Sequence, residues 1–228
     1  MHIGILITGH APDELQPDFG DYDAFFARLL DGYGFSFSAW NVVDNEFPPG
    51  IASADGWLIT GSKHGAYEDH PWIPPLEQFI RDCYSARRPM VGICFGHQIV
   101  AQALGGRVEK FAGGWSVGRT QYDWNGRTLF ANAWHQDQVV ELPQDAQVLA
   151  GNDFCRNAAL IYDDRTFSVQ PHPEYDAAAF AALIDARGPG LIPDDMLDTA
   201  RAARDLGDDN RAYADMIASF FKKGSPDG

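Results

Sequence analysis

One short segment constrains the fold of this chain more than any other. Residues 90–98 read Met-Val-Gly-Ile-Cys-Phe-Gly-His-Gln, an apolar run that leads into a Gly-x-Cys-x-Gly sequence. The apolar run predicts a buried strand, and the residues after the second glycine predict a helix. A sharp turn from strand to helix needs small residues beside it, because neighbouring backbone comes close there. The segment therefore predicts an α/β fold with Cys94 at the apex of a strand–turn–helix bend.

The sequence context of Cys94 also favours a reactive thiol. The same bend built around serine presents a nucleophile, and the N-terminus of the following helix favours the thiolate form of a cysteine. Cys83 falls on the apolar face of a predicted helix and Cys155 in a predicted loop, so both are interpreted as structural. A buried free cysteine at a strand end is the alternative for Cys94, but it leaves the two glycines unexplained.

Strands and helices alternate over the first part of the chain. The predicted elements are a strand at 3–8, a helix at 22–33, strands at 35–43 and 56–60, a helix around 76–83, and the strand before Cys94. Such alternation implies right-handed crossovers and a parallel sheet. Residues 107–170 predict short strands in a mostly antiparallel extension that ends in a strand at 167–170. A helix at 176–186 and two further helices follow, and residues 225–228 are expected to be a frayed tail.

Composition limits the classes of function. The 228 residues are 45% hydrophobic, which suffices for one α/β domain, taken here as residues 1–224. The net charge of −15 argues against nucleic-acid binding, which needs a basic surface. Three cysteines do not form a disulfide framework, the N-terminus lacks the basic start of a signal peptide, and no apolar run is long enough to span a membrane. We therefore expect a cytoplasmic protein.

A thiolate nucleophile needs an acid–base partner, and His172 is the best candidate. It lies in Gln-Pro-His-Pro-Glu at the end of a predicted strand, where open α/β sheets bind their ligands. On an extended segment Glu174 points to the same side as His172 and can fix the imidazole tautomer. The alternative is a loop whose acid caps the next helix. Together with Cys94, the pair predicts a Cys-His-Glu triad that is assembled in space.

Acyl-transfer chemistry also needs two N–H donors for an oxyanion. The amide of Phe95, directly after Cys94, is expected to be one donor, and the turn at Gly61 and Ser62 to provide the other. Gly61 as a simple strand terminator is the alternative interpretation.

Three more polar residues have open interpretations. His135 and Asp137, in Trp-His-Gln-Asp-Gln-Val, either orient a substrate or make a structural hydrogen bond. With His172 and Glu174 they also have the composition of a metal site, but a metal would compete with the thiolate, so we expect no metal and no cofactor. Gln98 either lines the pocket or supports the turn.

Gly-Ile-Cys-Phe-Gly-His-Gln at 92–98 and His-Pro-Glu at 172–174 together resemble the class I (triad) glutamine amidotransferase family. The resemblance covers roughly residues 1–186. It implies a flavodoxin-like three-layer α/β/α fold with a central, mostly parallel sheet and a small antiparallel extension. It further implies Cys94 as the nucleophile, His172 as the general acid/base and Glu174 as its orienting partner.

The sequence looks most like the free-standing members related to GMP synthases and γ-glutamyl peptidases. The resemblance implies the amides of Ser62 and Phe95 as the oxyanion hole. It further implies four residues that contact the substrate: Gly61, Gln98, Ser116 and His135. The family's oxyanion turn often has two glycines and a proline, whereas this chain has Gly61-Ser62-Lys63.

The expected reaction is cleavage of a γ-glutamyl amide, either glutamine or a small γ-glutamyl peptide, through a γ-glutamyl thioester. Two alternatives are a glutaminase subunit that delivers ammonia to a separate synthetase partner, and a non-catalytic binding module.

Overall fold

The computed structural model describes residues 1–223, and a seven-stranded sheet lies at the centre of this part of the chain. The strands are β1 (His2–Leu6), β2 (Ser36–Trp40), β3 (Gly56–Ile59), β4 (Met90–Ile93), β5 (Arg107–Lys110), β6 (Ser116–Trp124), β7 (Arg127–His135), β8 (Asp137–Glu141), β9 (Ala146–Ala150), β10 (Ala159–Tyr162) and β11 (Thr166–Val169). The helices are α1 (Gln16–Phe19), α2 (Tyr22–Leu29), α3 (Ile73–Ser85), α4 (Phe95–Ala103), α5 (Ala177–Arg187), α6 (Asp194–Ala203) and α7 (Asn210–Lys223).

The strand order in the main sheet is β2-β1-β3-β4-β11-β10-β9. The five strands from β2 to β11 in this order are parallel to one another, and β10 and β9 add an antiparallel edge. Two further antiparallel pairs, β6–β7 and β5–β8, lie outside this sheet. The predicted parallel sheet with an antiparallel extension is confirmed.

Apolar side chains cover both faces of the main sheet. On β3 the buried Leu58 belongs to one core cluster, whereas Trp57 and Ile59 belong to the other. The first cluster includes buried residues of α2, α5, α6 and α7, and the second those of α3 and α4. The three-layer α/β/α arrangement follows from this alternation along the strands.

The position of β11 differs from the sequence expectation. It pairs with β10 as a hairpin, but it also lies parallel to β4, with Val169 opposite Ile93. Its C-terminal end therefore lies beside the strand that leads to Cys94. Within residues 1–223 no helix has the length and apolar character that crossing a membrane requires. The expected tail at 225–228 lies outside the described residues.

Candidate active site

Cys94 lies on a strained turn between β4 and α4. Its φ and ψ are 53° and −103°, a conformation that side chains with a β-carbon rarely adopt. A β-carbon at Gly92 would lie 2.4 Å from the carbonyl oxygen of Gly96, and one at Gly96 would lie 2.2 Å from the carbonyl oxygen of Ile59. Both glycines are therefore required by close backbone approach, and they hold the bend that the sequence predicted.

His172 lies just beyond β11 and is fixed on two sides. Its backbone N–H donates to the carbonyl oxygen of Asn132 at 2.8 Å, and its Nδ1 lies 2.6 Å from Oε1 of Glu174. Both side chains are buried. Glu174 reaches His172 from a turn and not from the extended segment that the sequence suggested. The predicted contact is formed, although the local backbone differs.

The structure also brings His172 next to Cys94, because both residues line one cavity and both lie against Gly61. Burial by itself lowers the pKa of His172, but the charges of Cys94 and Glu174 and the hydrogen bond to Glu174 raise it well above its ordinary value. An imidazolium is therefore favoured between a sulfur and a carboxylate. This is the charge arrangement that a thiolate nucleophile requires.

The turn after β3 faces the same site. A β-carbon on Gly61 would lie 3.0 Å from Cε1 of His172 and 3.7 Å from the β-carbon of Cys94. The next residue, Ser62, lines the cavity around Cys94. Ser62 is not among the described non-glycine residues with a positive φ, so its β-carbon does not strain the turn.

Thr8, which follows β1, orients this turn and has no motif that marks it in the sequence. Its Oγ1 lies 3.1 Å from the carbonyl oxygen of Gly61 and 2.9 Å from that of Thr60. In a trans peptide the C=O and the following N–H point in opposite directions. A Gly61 carbonyl that is directed at Thr8 therefore directs the Ser62 N–H away from β1.

A cavity of about 450 Å³ is lined in part by Cys94. Its lining combines aromatic, acidic and basic side chains from the sheet edge and the surrounding loops. They include Tyr22, Ser62, His64, Tyr67, Glu68, Lys110, Trp115, Trp134, His135, Asp137, His172, Tyr175, Leu183 and Arg187. Concave sites with a largely apolar wall and a few polar groups are typical of small-molecule binding.

Of the four predicted substrate contacts, Gln98 and His135 line this cavity, whereas Gly61 and Ser116 each adjoin a residue that lines it. Gln98 lines it, but its Nε2 donates to the carbonyl oxygen of Asp137 at 2.9 Å and to Oε1 of Gln170 at 3.1 Å. Its amide group is thus held by protein atoms. Ser116 pairs with His135 in the β6–β7 ladder and adjoins the cavity-lining Trp115.

His135 is buried at the cavity wall, and its Nδ1 donates to the carbonyl oxygen of Asp137 at 3.3 Å. Burial and the charge of His172 lower the pKa of His135 to about 3, so its imidazole is neutral. Among residues 1–223, no three of His135, Asp137, His172 and Glu174 bring ligand atoms within 4.8 Å of one another. The four-residue metal arrangement considered from the sequence does not form.

The fold and this site define a class of protein: a three-layer α/β protein with a cysteine on a nucleophile-type bend and a His–Glu pair beside it. The profile of the family described as glutamine amidotransferase class-I matches residues 35–185. The chain belongs to the class-I glutamine amidotransferase family.

Two related proteins and one solved structure agree with this family. The chain is 30% identical over 225 residues to gamma-glutamyl peptidase 4 of Arabidopsis thaliana, covering 91% of this chain and 90% of that protein. It is 31% identical over 144 residues to a glutamine-hydrolyzing GMP synthase subunit of Halobacterium salinarum, covering 59% of this chain and 74% of that one. A glutamine amidotransferase structure from Thermotoga maritima has the same fold, with a TM-score of 0.79, 18% identity and coverage of 98% and 97%.

Proposed function

We propose that this protein is a cysteine hydrolase that cleaves the amide bond of γ-glutamyl compounds, glutamine or small γ-glutamyl peptides. The observation that carries the proposal is the buried His172–Glu174 pair beside Cys94, with Cys94 and His172 lining one cavity. Membership of the amidotransferase family and the similarity to γ-glutamyl peptidases support the γ-glutamyl group as the acyl part.

In the proposed reaction the Cys94 sulfur attacks the γ-carbonyl carbon, and the carbonyl oxygen becomes an oxyanion that the amides of Ser62 and Phe95 bind. The His172 imidazolium donates its proton to the leaving nitrogen, the C–N bond breaks, and a γ-glutamyl thioester forms. Neutral His172 then takes a proton from water as the water oxygen attacks the thioester. The C–S bond breaks, glutamate leaves, and the Cys94 thiolate is restored.

The test is release of ammonia or amine from glutamine and from a set of γ-glutamyl dipeptides. The unmodified protein is expected to hydrolyse at least one of them, and Cys94→Ala is expected to abolish the activity. Cys155→Ala, which removes another buried thiol, is the matched control and should keep it. An absence of activity on all of them, or equal activity in Cys94→Ala, contradicts the proposal.

A second candidate is a glutaminase subunit that supplies ammonia to a synthetase, supported by the similarity to a GMP synthase subunit. It predicts slow glutamine hydrolysis by the isolated chain and a large increase when the synthetase is added. Fast, partner-independent cleavage of γ-glutamyl dipeptides would favour the first candidate.

We also propose that residues 1–224 form one catalytic domain. Tyr213, Ile217 and Phe221 of α7 are buried in the same core cluster as Cys94, which supports this assignment.

A further inference from the structure

The loop between β3 and α3 brings two imidazoles and one carboxylate together. The Nδ1 of His64 lies 3.3 Å and the Nε2 of His70 lies 2.7 Å from the same oxygen, Oε2 of Glu68. One ligand atom from each of the three residues lies within 4.8 Å of the others. The reaction proposed above assigns no step to any of them.

The loop holds these side chains in defined positions. The backbone N–H of Glu68 donates to the carbonyl oxygen of Gly65 at 3.0 Å, and that of His70 donates to the carbonyl oxygen of Glu68 at 3.1 Å. The His70 ring stacks on Trp72, with centroids 5.8 Å apart and planes at 11°. Trp72 is buried and packs on Phe95, the residue after Cys94. The cluster is therefore packed, through Trp72, against the residue that follows Cys94 in the bend.

The donor set and its geometry fit a zinc-type ion. Zinc is bound tetrahedrally by imidazole nitrogen and carboxylate oxygen at about 2.0–2.2 Å, which places neighbouring ligand atoms about 3.3 Å apart. The His64–Glu68 pair already has this spacing, the His70–Glu68 pair is closer at 2.7 Å, and the two imidazole nitrogens lie within 4.8 Å of each other. The side chains are partly exposed, so an ion can reach them.

We propose that His64, Glu68 and His70 form a site for a divalent transition-metal ion of the zinc class at the rim of the Cys94 cavity. Each imidazole binds through the lone pair of the nitrogen that faces Glu68, with its proton on the other ring nitrogen. Because His64 and Glu68 line the cavity, the fourth coordination position is open to water or to an anionic group of a molecule bound there. This set differs from the one that the sequence suggested, and the sequence predicted no metal.

The test is calorimetric titration with Zn²⁺ in the Cys94→Ser background, because a thiolate beside an imidazole is itself a zinc ligand. We expect one Zn²⁺ per chain, and X-ray absorption that reports imidazole nitrogen and no sulfur around the ion. His70→Gln and Glu68→Gln should each lower the affinity for Zn²⁺ by more than about tenfold. Loss of a residue that only hydrogen-bonds a metal ligand already lowers metal affinity by about 10–100-fold.

His2→Gln is the matched control, because His2 lies on β1 and contacts Ser36. It should bind Zn²⁺ as the Cys94→Ser protein does, and equal metal-free thermal midpoints establish that the variants fold. Absence of Zn²⁺ binding in Cys94→Ser overturns the proposal. So does an affinity for Zn²⁺ that either His70→Gln or Glu68→Gln leaves unchanged, or a loss of affinity that His2→Gln reproduces. None of these outcomes depends on whether the chain hydrolyses γ-glutamyl amides.

Discussion

The hydroxyl of Thr8 lies 3.1 Å from the carbonyl oxygen of Gly61, which joins the end of β1 to the turn beside the Cys94–His172 pair. The Gly61 carbonyl oxygen accepts from the hydroxyls of Thr8 and Thr60, so the N–H of the Gly61–Ser62 peptide points away from β1. We propose that Thr8 is a positioning residue for one of the two proposed oxyanion donors.

Thr8→Val keeps the shape of the side chain and removes the hydroxyl. We expect kcat to fall by up to about 10²-fold with a small change in KM, because a misdirected donor weakens transition-state binding more than substrate binding. Thr166→Val is the control, since the Oγ1 of Thr166 is buried without a hydrogen-bond partner among the described residues. A similar loss of kcat in both variants would assign the effect to general loss of packing.

Glu174→Gln removes the charge beside His172 but keeps the size of the side chain. The pKa of His172 should fall, because the carboxylate is one of the groups that hold it above its ordinary value. We expect kcat to fall by about 10²–10⁴-fold, the usual contribution of positioned acid–base catalysis. The His172 titration by NMR and the turnover rate are measured together, with the exposed Glu46→Gln as control. A lowered pKa with unchanged turnover would contradict the orienting role of Glu174.

Iodoacetamide should alkylate Cys94 and spare the other two cysteines in the native protein. Burial raises the pKa of Cys155 to about 12 and raises that of Cys83 further, so both are neutral thiols. His172→Ala removes the cation beside Cys94 and should slow the alkylation at neutral pH. Peptide mass spectrometry gives the sites, and urea-unfolded protein, labelled at all three positions, is the control. Equal rates for Cys94 in both proteins would remove His172 from the site.

Buried histidines should make the fold less stable in mild acid. Burial and the nearby His135 lower the pKa of His97 from 6.5 to about 3, so its imidazole is neutral in the folded chain. Between these pH values the unfolded chain binds more protons, and the free energy of unfolding falls as pH falls. At about 1.4 kcal/mol per pH unit, His97 accounts for a loss of about 2 kcal/mol between pH 7 and pH 5. Urea unfolding of His97→Gln at both pH values should show a smaller pH dependence by this amount.

His10 provides a comparison of opposite sign. Its hydrogen bond to Asp21 is the main cause of a pKa above 6.5. A raised pKa adds stability below pH 6.5, and this stability is lost as the pH rises through the folded value. His10→Gln should therefore destabilise the protein more at pH 5 than at pH 7. If His97→Gln and His10→Gln changed the pH dependence of the free energy of unfolding in the same direction, this assignment would be contradicted.

Local sequence determined the elements of the proposed site that depend on near neighbours. The bend at Cys94 follows from Gly92 and Gly96, because only glycine fits against the backbone that passes there. A spacing of two residues on an extended segment predicts the His172–Glu174 contact, but the backbone that makes this contact is a turn. The parallel sheet likewise follows from strand–helix alternation, which leaves few topologies.

Tertiary structure decided which of these elements meet. The parallel pairing of β11 with β4 places His172 beside Cys94, and no local pattern specifies the neighbour of a strand whose residues are all buried. Thr8 reaches Gly61, and Glu68 lies between His64 and His70, because hydrogen bonds and packing across the chain fix the loops. The sequence by itself determined the bend at Cys94 and the polar residues available to it. Only the folded packing decided which side chains surround the sulfur, because contacts between distant segments depend on register and shape and not on sequence spacing.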